Sequence, residues 1–118
     1  MRRILLCAIA LSLSATMLLA ASTAPKFRKG TPYATARAEL LRRGWSPVKA
    51  TQPDCEPGRE DVCAAYPETQ SCAGTGFGLC TFDFRSPSGS LIEIVTHGGS
   101  VGQLTVSEVN ECPKTGCD

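Results

Sequence analysis

Six cysteines, Cys55, Cys63, Cys72, Cys80, Cys112 and Cys117, constrain this chain more than any other feature. An even set is held as disulfides only in an oxidising compartment, so its meaning depends on where the chain goes. The first residues answer that question. Arg2-Arg3 precede a largely apolar run from Ile4 to Ala21 that ends in small residues, the layout of a secretory signal peptide. The run is short for a membrane span and nothing comparable follows, which predicts no transmembrane helix after processing. Small residues at the last and third-last positions fit cleavage after Ser22, because the alternative after Ala24 would put Pro25 next. The surroundings of Arg2-Arg3 do not form a twin-arginine signal, and Cys7 lies too early in the run to be a lipidated cysteine. Cys7 therefore leaves with the signal, and the mature protein is expected to be exported, either periplasmic or secreted.

Removing 22 of 118 residues leaves 96, enough for one domain with a modest core that gains from staples. The expected organisation is a signal peptide over residues 1–22, a flexible arm over 23–30 and a single disulfide-rich domain over 31–118. Six cysteines allow fifteen complete pairings. The simplest is sequential, Cys55 with Cys63, Cys72 with Cys80 and Cys112 with Cys117. Closing the glycine-rich loop from Cys72 to Cys80 would stabilise the fold by roughly 2.5 kcal/mol on the loop-entropy estimate. The rival reading, zinc, calls for closely spaced pairs such as Cys-x-x-Cys, and the sequence has none.

Thr31-Pro32 offers a capping oxygen and a proline at the first helical position. Tyr33, Ala36, Leu40 and Leu41 then recur at helical spacing. Gly44 ends the helix, and Trp45 is expected to fold back on Leu40 as a core residue. Ser46-Pro47 sends the chain out extended, with a short strand over Val48 to Ala50. Residues 51–70 hold three prolines and few aliphatics and read as a loop tied by Cys55 and Cys63. After it, Cys80, Phe82 and Phe84 alternate with Thr81, Asp83 and Arg85, the clearest strand. A turn over 86–90, a central strand from Leu91 to His97 and a third strand over 103–109 complete a meander. The predicted fold class is α+β: one N-terminal amphipathic helix packed on a three- to four-stranded antiparallel sheet, a disulfide-stapled two-layer domain.

Without Arg2 and Arg3 the chain carries ten basic and 11 acidic residues, so no global charge points to nucleic acid. The distribution is uneven. Lys26, Arg28, Lys29, Arg37, Arg42, Arg43 and Lys49 face Glu39 alone between residues 26 and 49, and the rest of the chain has three basic and ten acidic residues. Either the two halves complement each other within the fold or the basic helix face, through Arg37, Arg42 and Arg43, meets an acidic protein or an anionic envelope component. The loop from Cys55 to Cys80, with Phe77 at its tip, is the other candidate contact.

Enzymatic readings meet specific obstacles. Gly74-Thr75-Gly76-Phe77-Gly78 precedes a strand rather than a helix and lacks Gly-Lys-Ser/Thr, so it is no phosphate loop and predicts no nucleotide cofactor. Gly98-Gly99-Ser100-Val101-Gly102 fits the letters of a nucleophile elbow, but that turn leads into a helix of a much larger sheet and needs a later histidine. His97 is the one histidine. Glu56, Glu60, Asp61 and Glu68 match no calcium-loop spacing, which predicts no metal.

The pattern Tyr33…Ala36-Arg37…Leu40…Gly44-Trp45…Pro47, Tyr66-Pro67-Glu68, Cys72-Ala73-Gly74-Thr75-Gly76…Cys80, Phe82…Phe84…Gly89…Leu91 resembles small exported, cysteine-containing proteins of Gram-negative bacteria that carry no assigned function. The resemblance spans Tyr33 to Gly98 and implies a compartment, with no catalytic residues to transfer. A helix beside a meander also looks like the small modules of β-lactamase-inhibitor and PepSY-type proteins, a likeness of fold alone. The expected function is a non-enzymatic exported module that binds a protein or envelope component. Alternatives are a secreted effector or toxin-like protein and a small hydrolase using Ser100 and His97.

Overall fold

The strand predicted most plainly, Cys80–Arg85, is the strand on which the others assemble. The structure is a computed structural model and describes residues 23–117. The expected signal segment, with Cys7 and the cleavage point, lies outside the described residues. Chain order is α1 (Tyr33–Arg42), β1 (Ser46–Pro47), β2 (Asp54–Cys55), α2 (Glu60–Ala65), β3 (Thr69–Cys72), β4 (Cys80–Arg85), β5 (Leu91–His97), a 3-10 turn (Val101–Gln103) and β6 (Thr105–Cys112).

The sheet runs β2-β3-β4-β5-β6, with β1 paired to the far end of β4. All pairings are antiparallel except that of β2 with β3. Side chains alternate between the two faces of a strand, so Cys80, Phe82 and Phe84 of β4 and their partners Thr96, Ile94 and Ile92 of β5 share the core face. All six are buried, and Tyr33, Ala36, Leu40, Trp45 and Val62 close over them.

Two features of the expected architecture are corrected. Six strands form the sheet rather than three or four, and the helix lies at Tyr33–Arg42 rather than at the chain's N-terminus. The additional elements come mostly from residues 51–70, read above as loop. There α2 is a six-residue helix that buries Val62 alone, and β2 is two residues long, both too short to leave a periodicity. Likewise β1 occupies Ser46–Pro47, not Val48 to Ala50, although the Val48 amide still donates to the Asp83 carbonyl at 2.9 Å. The last strand reaches Cys112, past the expected end at Val109, and holds a bulge opposite Val95 and Thr96.

The ends of α1 are satisfied differently. At the C-terminus, Gly44 (φ +83°) lets its amide reach the Leu41 carbonyl (3.0 Å) and the Trp45 amide reach the Leu40 carbonyl (3.0 Å). This paired closure places Trp45 in the core, as the sequence implied. At the N-terminus Thr31 does not cap: its hydroxyl donates to the Arg28 carbonyl, and the Tyr33 amide donates to Leu104 beside β6 instead. The Gly30 amide and the Val106 amide make further bonds between residues 30–31 and β6. Residues 23–30 are thus tethered at their end, and Ala24 and Phe27 pack partly against the core.

One buried acid fastens α1 to the sheet. The Glu68 side chain is fully buried and accepts a hydrogen bond from the Tyr33 hydroxyl (2.8 Å) and from Arg37 Nε (2.6 Å). Burial first, then the Glu68 carboxylate, pushes the Tyr33 phenol far above its ordinary range, so it stays a donor. The hydrogen bond to Glu68 also raises Arg37. Removing one member of such a pair strands the other, whereas replacing both by apolar groups removes the problem. Arg37→Met is therefore expected to cost about 3 kcal/mol in urea unfolding, and the Arg37→Met/Glu68→Met double variant to recover most of that loss.

Candidate surface at the Phe77 loop

All three disulfides join the sequential pairs, Cys55–Cys63, Cys72–Cys80 and Cys112–Cys117. The middle one defines the candidate site. Cys72 and Cys80 stand directly opposite in the β3–β4 pair with Cα atoms 4.1 Å apart, so the ring between them projects from the end of the sheet. Within the ring the Ala73 amide donates to the Leu79 carbonyl (2.8 Å) and the Gly78 amide to the Thr75 carbonyl (3.3 Å). From outside it, Glu56 accepts from the Gly74 amide at 2.6 Å.

Beneath the ring lies Arg59, a buried cation that composition alone did not single out. Its Nη1 donates to the Ala73 carbonyl (3.3 Å) and its Nη2 contacts Cys80 Sγ (3.0 Å). Gly78 requires glycine. Its φ is +64°, and a Cβ there would lie 2.5 Å from Arg59 Nη1 and 2.6 Å from the Gly98 carbonyl oxygen. This close approach brings the ring against the β5 end, where the Phe77 carbonyl accepts from the Gly98 amide (3.2 Å) and the Phe77 ring stacks on His97 with centroids 5.7 Å apart. Phe77 is nonetheless 81% exposed, and neighbouring Leu79 is 43% exposed.

The other candidate contacts are partly spent inside the molecule. Arg37 is committed to Glu68 and also lies over the Tyr66 ring. Arg42 and Arg43 both bond Glu39, and those bonds, Arg42's first, hold the Glu39 carboxyl down to about 2. The four carboxylates of the cysteine-rich segment do not converge. Glu56 and Glu60 accept from the Gly74 and Gly58 amides, Asp61 from the Val101 amide, and Glu68 from Tyr33 and Arg37. Among the described residues no group of three or more His, Cys, Asp or Glu side chains could hold a metal ion. Ser100 precedes the 3-10 turn and then β6, so the strand–turn–helix frame of a nucleophile elbow is not present around it. His97 lies against Phe77.

Two further surfaces escaped the sequence reading. A groove of about 650 Å³ lies between Phe27 and the outward side of α1, lined by Ala34, Thr35, Ala38, Glu39 and Arg42. Its signal was present as Ala34 and Ala38, one turn apart on the side of α1 away from the core; Leu41, expected on the core stripe with Leu40, is exposed instead. On the outer face of the sheet, Asp83 of β4 stands opposite Glu93 of β5. Asp83 is buried, and its Oδ1 has no hydrogen-bond partner among the described residues.

No family model, curated protein or solved structure matches this chain.

Burial first, and then the facing Glu93 carboxylate, raise the Asp83 carboxyl to about 6. A raised acid binds its proton more readily in the folded state, so its protonated form favours folding and stability falls as pH rises from about 4 to about 6. Asp83→Asn is expected to remove that fall and to leave the protein more stable than wild type by on the order of 1 kcal/mol at neutral pH. Urea midpoints across this pH range check it, and an unchanged slope in the variant would show that Asp83 is not the group responsible.

Proposed function

We propose that this chain is a non-enzymatic exported module whose function is to bind a protein through the Phe77 loop. The observation that carries the reading is the exposure of Phe77 on a ring held by a disulfide, a buried arginine and a backbone bond to Gly98. An aromatic anchor held rigidly loses little conformational freedom on binding, and such anchors dominate binding energies at protein interfaces. Export is supported by the three disulfides and by the leader-like first residues. None of the helices among the described residues is long and apolar enough to cross a membrane. The internal commitment of Arg37 favours the loop over the basic helix face as the contact.

Placing a photo-crosslinking benzoylphenylalanine at Phe77 in the producing cell is expected to give one discrete adduct, while the same group at Ser88, in the turn between β4 and β5, gives none. Equal, diffuse labelling from both positions would reject the loop as a specific contact.

A further inference from the structure

The two halves of the chain carry opposite charge, yet among the described residues only one ion pair, Arg37–Glu68, joins them. The other pairs, Arg42–Glu39 and Arg43–Glu39, are internal to the basic half. The complementarity that the sequence displays is thus largely unused within the molecule.

The two unused surfaces also match in shape and polarity. One is a knob: Phe77, with Leu79 beside it, exposed on the ring. On its Leu79 side the surface is acidic, since Asp54 and Glu56 line the same shallow cleft as Leu79 and Glu56 holds the Gly74 amide, while Arg59, the cation bonded to the ring, is buried beneath it. The other is a hole, the groove between Phe27 and α1, whose floor is Ala34, Thr35 and Ala38. Its border carries Glu39 and Arg42, with Arg43 following. Glu39 pairs with both arginines, and the surplus positive charge comes from that uneven pairing together with Lys26 and Arg28 on either side of Phe27. At about 650 Å³ the groove is open to solvent along its length and has room for a phenylalanine side chain laid into it.

We infer that the occupant of the groove is the Phe77 loop of a second copy of this chain. This rests on the Phe77 loop being the binding surface and names its partner. Knob and hole are different patches of one molecule, so two copies either exchange loops reciprocally in a closed two-fold dimer or associate head to tail until a larger ring closes or a filament grows. The acidic knob and basic border steer the approach and make it sensitive to salt.

The test uses protein isolated after export and analytical ultracentrifugation over a concentration series. Wild type is expected to form dimers or larger species, weakening as sodium chloride is raised. Phe77→Ala removes the knob and Ala38→Glu fills the hole with charge. Both positions are exposed, and each variant alone is expected to be monomeric, with association weakened at least about thirtyfold. Mixed together, the groove of Phe77→Ala still accepts the loop of Ala38→Glu, so the mixture is expected to form a one-to-one dimer and stop there. A wild type that stays monomeric at every concentration overturns the inference, as does a Phe77→Ala variant that associates as wild type does. A monomeric wild type whose Phe77 crosslinks to a different protein overturns it too, while leaving the binding role of the loop intact. Binding of anionic phospholipid vesicles by a monomeric chain, lost in Ala38→Glu, would assign the groove to lipid and equally overturn it.

Discussion

Glu68 is the residue on which the assembly of helix and sheet depends. A carboxylate taken wholly out of water is tolerated only when its charge and lone pairs are met. Tyr33 and Arg37, one turn apart on α1, meet them, and no other register of the helix presents that pair to the acid. The main chain of Glu68 works at the same point, since its carbonyl accepts from the Asp83 amide of β4. Around this centre the aromatic packing falls into place: Tyr33 stacks on Phe82 with centroids 4.0 Å apart, and Tyr66 meets it edge-on at 4.9 Å. Apolar burial drives the layers together, and the acid decides how they are aligned.

Much of this was legible in the sequence where a rule of local chemistry applies. The alternation in Cys80–Arg85, the apolar character of Leu91–His97 on both faces and the glycine closure before Trp45 each follow from backbone periodicity or sterics, and each is present in the structure. What escaped was set by tertiary contact. Strands of two residues and a helix of six carry too few side chains to show a period, and they exist because β4 offers β1 a partner, β3 offers β2 one and the core takes up Val62 of α2. The helix cap was misjudged for the same reason, because Leu104 supplies an acceptor that no local pattern reveals. Glu68 belonged to a scatter of acids until Tyr33 and Arg37 were brought to it.

The candidate surface divides along the same line. Phe77 and the cysteine ring could be picked out, since a disulfide loop rich in glycine advertises itself. Arg59 could not, because a buried arginine bonded to a carbonyl oxygen and a disulfide sulphur has no sequence signature. Its position explains how an exposed aromatic can be held still: the ring rests on a guanidinium that is itself held by the ring. The basic residues of α1 looked equivalent in the sequence and are not, since Arg37 turns inward and Arg42 and Arg43 share one carboxylate.

The three disulfides span separations of eight, eight and five residues, and their intervals neither overlap nor nest. Short separations keep the two sulphurs of each pair near one another even in an unfolded chain, where closing a small loop costs little entropy. A chain appearing from its N-terminus would therefore meet the correct partner for each cysteine before any wrong one from a later interval had arrived. Oxidation can proceed in the order of synthesis, with no crossed intermediate to undo, and each finished loop hands the next stretch of chain a scaffold already closed.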